Sequence, residues 1–487
     1  MKILFVINTA FFSEPLGVMS ISAICKKHGH TTRLAVLKRH NLLQMLREFQ
    51  PDVIGYSVMT SDMAAFAKAD STVTQWITES GRRALRVMGG PHPTFFPQAL
   101  EELDLDAIIV GEGDYASIRL IDAFQAGEDL SGIPNVIPRG GSLETMEREL
   151  IPDLDDLPFL DREIFYDAAP HCKHFQLRSV KTARGCPYRC SYCFNHAFND
   201  MFRSSGKILR RRSVDSIIQE LKHVIETTGP VTMIRFGDDT FAYKVDDWLV
   251  ELLTRYKNEI GLPYYCLMRS NVLTEEMAKL LAESGCRSIG MSLETGNEEM
   301  RNDLLSRNIS DGTALRSFEL ARKYKMHTQA NSMLALPGSD FEDDYNTFMF
   351  AKRARSSVPT FSIWCPFPGT RLTQRAVDMG LITDCYDYKK YYYDKTPIDT
   401  YSEEEKDMHV TITQIGCLFC KLPDSFLPLF SKLIKMQPNR GFALLGTAYT
   451  AFEYYTKMFF WAVPKNPIRM AKLFIESMRY QLSKPAE

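Results

Sequence analysis

Short apolar runs alternate with longer amphipathic stretches along most of this chain. Five such runs precede stretches of helical spacing before residue 127, and six more lie between residues 179 and 364. Apolar strands that alternate with helices predict parallel sheets covered by helices on both faces. Because the pattern occurs twice in 487 residues, the sequence predicts at least two α/β domains.

The first pattern predicts a doubly wound, Rossmann-like domain over residues 1–150. Its predicted strands are Lys2–Ile7, Thr32–Leu37, Val53–Val58, Arg86–Met88 and Ala107–Val110. Ligands bind such domains beyond the carboxyl ends of the strands. The loops there contain glycine and hydroxyl side chains, which allow close backbone approach and hydrogen bonding. Alone, these loops indicate only a binding domain, for example for a nucleotide or a phosphate.

The second pattern predicts a partial (β/α)6 barrel over residues 176–384. Its predicted strands are 179–182, 232–236, 264–268, 288–293, 328–336 and 361–364. Functional groups of barrels lie at the carboxyl ends of the strands. Gly237–Phe241, Arg269–Asn271 and Glu294–Gly296 follow predicted strands directly. We therefore expect these polar motifs to line one site.

Three cysteines lie in the spacing Cys-x3-Cys-x2-Cys within the loop after the first barrel strand. They are Cys186, Cys190 and Cys193. Structural zinc usually takes four ligands, whereas three thiolates on one loop suit a [4Fe–4S] cluster that leaves one iron without a protein ligand. The alternative is three unconnected core cysteines, since cysteine is often buried as a small hydrophobe. Pro and Arg between the three positions disfavour that alternative.

This loop resembles the cluster loop of the radical S-adenosylmethionine (SAM) enzymes, which also have an aromatic residue where Tyr192 stands. The upstream loops GGPHPT, residues 89–94, and GEGD, residues 111–114, resemble those of the cobalamin-binding domain found ahead of some radical SAM barrels. Over residues 1–380 the chain is similar to the branch that contains class B methyltransferases and the anaerobic magnesium-protoporphyrin cyclase. The resemblance implies three cofactors: a [4Fe–4S] cluster, SAM and cobalamin.

The resemblance also implies three sets of site residues. The cluster ligands would be Cys186, Cys190 and Cys193; the SAM contacts Tyr192, Gly237, Asp238, Asp239, Arg269 and Glu294; the cobalamin contacts Ser57, Thr60, Gly89, Gly90, His92, Gly111 and Glu112. The structural alternatives are helix capping for the two aspartates, a surface salt bridge for Glu294 and a capped loop position for His92. No Asp-x-His-x-x-Gly motif follows the first strand, so the lower cobalt ligand is left open.

The reaction implied is methylation of an unactivated carbon, or of a phosphinate phosphorus, in a small molecule or lipid. It would proceed through a 5′-deoxyadenosyl radical and methylcobalamin, with a reductant such as flavodoxin or ferredoxin. The alternative within the same branch is a non-methylating enzyme, an oxidative cyclase or ring-rearranging enzyme acting for example on a tetrapyrrole. A cobalamin sensor or carrier is a third class, and it would not need the cysteines. Substrate and oligomeric state are left open.

The rest of the sequence predicts a cytoplasmic protein. A net charge of −2 gives no electrostatic reason to expect a nucleic-acid partner, and we see neither a signal peptide nor an apolar run long enough to span a membrane. Residues 151–175 are expected to be a linker and residues 385–487 a mostly helical substrate or capping region. For the aromatic-rich segment 441–463 a packed helix is favoured over contact with a membrane interface. Cys417 and Cys420 are expected to be core thiols, their role otherwise open.

Overall fold

The computed structural model describes residues 1–11, 13–383 and 395–466, with positions 468, 470, 471, 473 and 475. The sequence has five Tyr among the eight residues Tyr386–Tyr393, for which a loop over the site or surface packing is expected. This segment and the predicted boundary at residue 385 lie outside the described ranges. The strands are β1 Lys2–Ile7, β2 Thr31–Val36, β3 Val53–Ser57, β4 Leu85–Gly89, β5 Ala107–Ile109, β6 Val136–Pro138, β7 Leu177–Val180, β8 Ala183–Arg184, β9 Arg210–Arg211, β10 Met233–Phe236, β11 Tyr264–Leu267, β12 Cys286–Glu294, β13 His327–Leu334 and β14 Val358–Ile363.

The α-helices follow the strands in the order that the sequence predicts. Many begin at a side chain that accepts the backbone N–H three residues ahead, as Ser213, Thr274 and Asp340 do. They are α1 Leu16–Lys27, α2 Leu42–Phe49, α3 Met63–Ser80, α4 Pro91–Phe95, α5 Ala99–Glu102, α6 Asp114–Ala126, α7 Arg162–Ala168, α8 Phe194–Met201, α9 Val214–Thr227, α10 Asp247–Arg255, α11 Glu275–Glu283, α12 Asp311–Lys323, α13 Phe341–Ala354, α14 Arg371–Asp378, α15 Glu403–Lys421, α16 Leu427–Leu433 and α17 Arg440–Glu453.

The described residues form two compact units. The first contains Met1–Phe175 and Phe198–Arg212, and the second contains Gln176–Ala197 and the described residues from Ser213 onward. Residues 151–175, predicted as a linker, thus belong to the first unit. The predicted four-part division of the chain otherwise stays a prediction.

The first unit is an α/β sandwich around a six-stranded sheet. The strand order is β2-β1-β3-β4-β5-β6, parallel except for the antiparallel pair β5 and β6. Apolar clusters lie on both faces of the sheet, one including Tyr56, Phe66 and Trp76, the other Phe5 and Phe165. The order reverses between β1 and β3, so the ligand-binding crevice of this fold lies beyond Ile7 and Ser57.

The second unit contains the six parallel strands of a partial barrel, in the order β14-β13-β12-β11-β10-β7. Its largest apolar cluster lies between the strands and helices α9 to α13, with Phe236, Tyr256 and Tyr264 packed edge to face. This is the α/β barrel that the sequence predicts. It places the loops after β7, β10, β11 and β12 at one end of the barrel.

Residues 454–462 close the opposite end, where the barrel strands begin. The carbonyls of Met458, Trp461 and Ala462 accept hydrogen bonds from Ser288 Oγ (2.8 Å), Thr232 Oγ1 (2.5 Å) and Gln176 N (2.9 Å). Met458 and Ala462 are fully buried. Part of the segment 441–463 is therefore packed, as the favoured interpretation predicts.

The search for spanning segments covers the described residues. Among them, no helix is both long enough and apolar enough to cross a bilayer.

Candidate active site

The three cysteines lie on the loop between β8 and α8, in the second unit. Cys186 and Cys190 are buried, Cys193 is partly exposed, and none of the three forms a disulfide. In a [4Fe–4S] cluster each thiolate binds a different iron. Three cysteine thiols on one short loop fit such a cluster.

Asp238 holds the backbone that leads into this loop. Its carboxylate accepts hydrogen bonds from the backbone N–H groups of Thr182 and Ala183, both at 2.8 Å, and from Thr182 Oγ1 at 3.1 Å. Asp238 is buried, and burial raises the pKa of its carboxyl from 3.8 to about 6. The two oxygens of Asp238 are thus occupied by the chain itself.

The middle of the loop is held by Ser191. Its hydroxyl donates to the carbonyl of Leu304 at 2.6 Å, and its N–H donates to the carbonyl of Leu305 at 3.1 Å. Its own carbonyl accepts the N–H of Leu372 at 2.9 Å. With Asp238 at the start and Ser191 in the middle, the backbone that carries the thiols is fixed at two points.

Arg269 lies against the second cysteine. Its Nη1 is 3.0 Å from Cys190 Sγ, and its guanidinium carbon lies 4.0 Å from the centre of the Tyr188 ring. Its other nitrogens donate to Asn271 Oδ1 and to the carbonyl of Arg307. The positive charge is therefore directed at a thiol rather than toward solvent.

Glu294, at the end of β12, forms a trio with Tyr192 and Arg307, in which Glu294 and Arg307 are buried and Tyr192 is partly exposed. Glu294 Oε1 accepts hydrogen bonds from Tyr192 Oη at 2.6 Å and from Arg307 Nη1 at 2.5 Å. Arg307 Nη1 also donates to Tyr192 Oη at 2.7 Å. Burial and the carboxylate of Glu294 hold the pKa of Tyr192 well above its usual 10, so its hydroxyl remains a donor. The trio links the cysteine loop to the barrel strand.

The remaining predicted SAM contacts lie at the end of β10. Asp239 is exposed, unlike its buried neighbour Asp238, and Gly237 N donates to the carbonyl of Val180 at 2.9 Å. Of the two aspartates, Asp239 is the one whose carboxylate is open to an incoming cation.

The third cysteine of the loop is a thiol of raised pKa. Burial raises the pKa of Cys193 to about 12, so this thiol needs a cation such as iron to ionise at neutral pH.

Five of the predicted cobalamin contacts lie together in the first unit, at the ends of β3 and β4. Ser57, Gly89 and Gly90 are partly exposed at this edge. His92 is fully buried; its Nδ1 lies 3.3 Å from Thr60 Oγ1 and its ring stacks on Phe96. His92 thus packs beneath the edge rather than projecting from it.

Gly111 joins this group through Thr94. Thr94 Oγ1 accepts the N–H of Gly111 at 3.0 Å and donates to the carbonyl of Gly90 at 2.9 Å. Gly90 has a φ of +104°, and a Cβ on it would lie 2.9 Å from the carbonyl oxygen of Val58. Only glycine fits there without strain.

Glu112 does not project from the edge. Its carboxylate forms a buried ion pair with Arg210, at 2.7 and 2.9 Å, and accepts the N–H of Ile151 at 2.9 Å. Glu112 therefore ties together segments of the first unit.

Two polar residues that the sequence analysis overlooked lie at the point where the strand order reverses. Asn8, directly after β1, donates from Nδ2 to Asp62 Oδ1 at 2.8 Å, and its own Oδ1 is buried without a hydrogen-bond partner. Burial raises the pKa of Asp62. An orphaned buried acceptor beside the hydroxyls and exposed backbone of this edge fits a ligand rich in amide groups, such as cobalamin.

Arg307 is the residue missed in the second unit. It stands between Ser306 and Asn308, which have positive φ values of 55° and 51°. Nothing in the local pattern distinguishes it from the chain's other arginines. Only the fold places it against Glu294 and Tyr192.

Comparisons with known proteins agree with this geometry. The B12 binding domain family matches residues 3–121 and the Radical SAM superfamily matches residues 180–351. The chain is 28% identical to an uncharacterized methyltransferase of Pyrococcus horikoshii, over 86% of this chain and 89% of the relative. It is 23% identical to the anaerobic magnesium-protoporphyrin IX monomethyl ester cyclase of Rubrivivax gelatinosus, over 79% of this chain and 69% of that one.

Among solved structures, the fold is similar to that of TsrM, a radical SAM methyltransferase from Kitasatospora setae with cobalamin and a [4Fe–4S] cluster bound. The TM-score is 0.67, with 16% identity, over 99% of both chains. The first unit contains a B12-binding domain and the second a radical SAM domain. The chain therefore belongs to the cobalamin-dependent radical SAM enzymes. Its cofactors are a [4Fe–4S] cluster, SAM and cobalamin, as the sequence predicts.

Proposed function

We propose that this enzyme is a methyltransferase that methylates an unactivated carbon, or a phosphinate phosphorus, of a small molecule or lipid. The observation that carries the proposal is the presence of both domains in a chain whose match to a methyltransferase extends over 86% of its length. When bound, the cluster and cobalamin supply reductive cleavage of SAM and methyl-group transfer.

Within this proposal Cys186, Cys190 and Cys193 hold the cluster. Asp238 and Ser191 keep the loop in one conformation, because their hydrogen bonds fix its start and its middle. Arg269 offsets the negative charge of the Cys190 thiolate, from which it lies 3.0 Å away. The protein thus positions the three ligands before the cluster binds.

SAM would be bound by the loops after β10 and β12. Asp239 is the exposed carboxylate suited to the amine of its methionyl part, with the backbone of Gly237 beside it. Glu294, oriented by Tyr192 and Arg307, is suited to the ribose hydroxyls because both partners bond to Oε1, whereas a carboxylate has two oxygens and about four acceptor sites. Arg269 has a cysteine partner, so we assign it to the cluster rather than to the SAM carboxylate.

Cobalamin would lie across the edge formed by Ser57, Gly89, Gly90 and Gly111, with the orphaned Asn8 acceptor at its border. Thr60 and His92 support this edge from beneath, and Glu112 stabilises the unit through its ion pair with Arg210. His92 is fully buried, and its ring lies against Thr60 and Phe96, so its role here would be to support the edge.

The second candidate is a non-methylating reaction such as oxidative cyclisation, because a cyclase is among the relatives, at 23% identity. A cytoplasmic reductant, flavodoxin or ferredoxin, serves either reaction. Labelled SAM separates them in an extract of cells that lack the enzyme. Methylation transfers a CD3 group into a new product, whereas cyclisation leaves the label in methionine alone.

The matched control for that assay is Cys190→Ala. A CD3-labelled product that forms equally well with this variant would refute the proposed role of the cysteine loop. Loss of the product with Cys190→Ala, and its retention with Cys286→Ala at a buried cysteine outside the loop, supports that role.

A further inference from the structure

Exposed apolar side chains are concentrated near the end of the described chain. Ten of the thirteen exposed large hydrophobic side chains in the described ranges lie between residues 426 and 475. Six of them, on or beside helices α16 and α17, have between 41% and 53% of their surface exposed: Phe426, Leu429, Met436, Leu444, Leu445 and Phe452. We call these six the C-terminal apolar surface.

Helix α17 shows how this surface arises. Its buried side lies against α15: a Cβ added at Gly446 would lie 1.6 Å from the backbone oxygen of Gln414. Phe442 packs on the apolar cluster that contains Phe430. Leu444, Leu445 and Phe452 lie on the other side and are exposed. The helix is therefore apolar on the packed and on the exposed side, which a helix facing only water seldom is.

The segment that carries this surface is basic. Residues 424–476 contain seven Lys or Arg and three acidic residues, Asp424, Glu453 and Glu476, in a chain whose net charge is −2. Glu453 is buried, whereas Lys432, Lys435 and Arg440 are exposed beside the apolar side chains. Exposed Leu and Phe bordered by Lys and Arg is the composition of helices that lie in the headgroup region of anionic membranes.

We infer that the C-terminal apolar surface docks on the surface of an anionic bilayer. A second copy of the same surface is disfavoured as the occupant, because two basic patches would face each other. An uncharged apolar partner is also disfavoured, because it would offer no negative charge to the surrounding Lys and Arg side chains.

Vesicle flotation of the intact, cofactor-loaded enzyme tests this inference. We expect it to float with vesicles of phosphatidylcholine containing phosphatidylglycerol, and much less with phosphatidylcholine alone. Leu444→Gln/Leu445→Gln/Phe452→Gln should weaken binding roughly tenfold or more, since three apolar anchors are lost. Lys432→Gln/Lys435→Gln should weaken it by a similar factor and reduce its dependence on salt.

Matched controls come from exposed residues elsewhere in the second unit. Val250→Gln/Met379→Gln and Lys257→Gln/Lys279→Gln change the same residue classes and should float like the wild type. Flotation that is equal with neutral vesicles, or unchanged by both test variants, contradicts the inference. So does a dimer seen by light scattering that the apolar variant dissociates, in a protein that fails to float; the surface would then join two copies. The test variants lie on or beside α16 and α17, which carry none of the candidate site residues, so the methylation assay is scored independently.

Discussion

Asp238 is buried, and its carboxylate holds the backbone that leads into the cysteine loop. Asp238→Ala would leave two buried N–H groups without acceptors and should lower the free energy of unfolding by about 2–4 kcal/mol, with loss of bound iron. Asp238→Asn should retain most of the stability and most of the bound iron, because Oδ1 can still accept the two N–H groups while Nδ2 donates to the Thr182 hydroxyl. Urea unfolding and iron analysis measure the two variants. Equal damage from both would show that the negative charge itself matters, as for an amine-binding carboxylate.

The raised pKa of Asp238 gives a separate prediction in pH. The native carboxyl titrates near 6 and the unfolded one near 3.8. Between these values the native state binds more protons than the unfolded state, so the free energy of unfolding falls as the pH rises from about 4 to 6. Asp238→Asn lacks this titration, and the stability difference between it and the wild type should change by about 3 kcal/mol over that range. A constant difference would contradict the burial argument.

The pair Glu294 and Arg307 should behave as a coupled unit. Either Glu294→Gln or Arg307→Met alone removes one partner of a buried ion pair and should cost about 3–5 kcal/mol of stability. The double variant should cost less than the sum of the two, because neither charge is then left uncompensated. Thermal unfolding of the wild type, the two single variants and the double variant gives the coupling energy. Losses of stability that simply add would contradict the predicted coupling.

The sequence patterns predicted positions that lie around the cysteine loop, but not the burial or the bonding partners of their side chains. The motif Gly237–Phe241 predicts two equivalent aspartates, and the structure buries one and exposes the other. Arg269 and Glu112 have buried partners, Cys190 and Arg210, that lie 79 and 98 residues away. Such pairs depend on long-range packing and leave no local signal in one sequence.

Among the elements, the loop Gly89–Thr94 is the one whose conformation depends most on glycine. Gly90→Ala combines a positive φ with a contact of 2.9 Å to the Val58 carbonyl oxygen. Gly127→Ala, also at positive φ, has no atom within 4 Å and serves as the matched control. We expect about 1 kcal/mol of destabilisation for the control and an additional 1–3 kcal/mol or so at Gly90. Thermal unfolding and cobalamin uptake are measured for both variants. Equal effects would count against a close approach between residue 90 and the Val58 backbone.

The closing segment 454–462 should be necessary for the barrel. A chain that ends after Glu453 loses the three carbonyls that accept from Ser288, Thr232 and Gln176. We expect it to be insoluble or to unfold at a clearly lower temperature than a chain that ends after Asn466, which retains these three carbonyls. Circular dichroism melts compare the two, and equal melting temperatures would show that the segment is dispensable.

The elements were more predictable than the contacts because the apolar period sets them directly. All six barrel strands and five of the six strands in the first sheet follow from apolar runs. Strand β6 was missed because it is three residues long and lies in a stretch rich in glycine and charge. It is added antiparallel at the sheet edge, where tertiary pairing rather than local preference forms a strand.

For the whole molecule, composition indicated the kind of protein but not its surfaces. A net charge of −2 conceals a basic stretch near the end of the described chain, because the excess of acidic residues lies elsewhere. The cysteine spacing specifies the cluster chemistry and the two sheets specify the binding domains. Neither specifies the substrate, which depends on side chains brought together from many segments.

The most direct test of the proposed methyl transfer needs no substrate. The reduced, cofactor-loaded enzyme is incubated with SAM that carries a CD3 group, and the cobalamin extracted from the protein is analysed by mass spectrometry. A methyltransferase of the proposed kind yields CD3-labelled cobalamin together with S-adenosylhomocysteine. Unlabelled cobalamin, with 5′-deoxyadenosine and labelled methionine as the only products of SAM, would contradict the proposal and favour the non-methylating reaction.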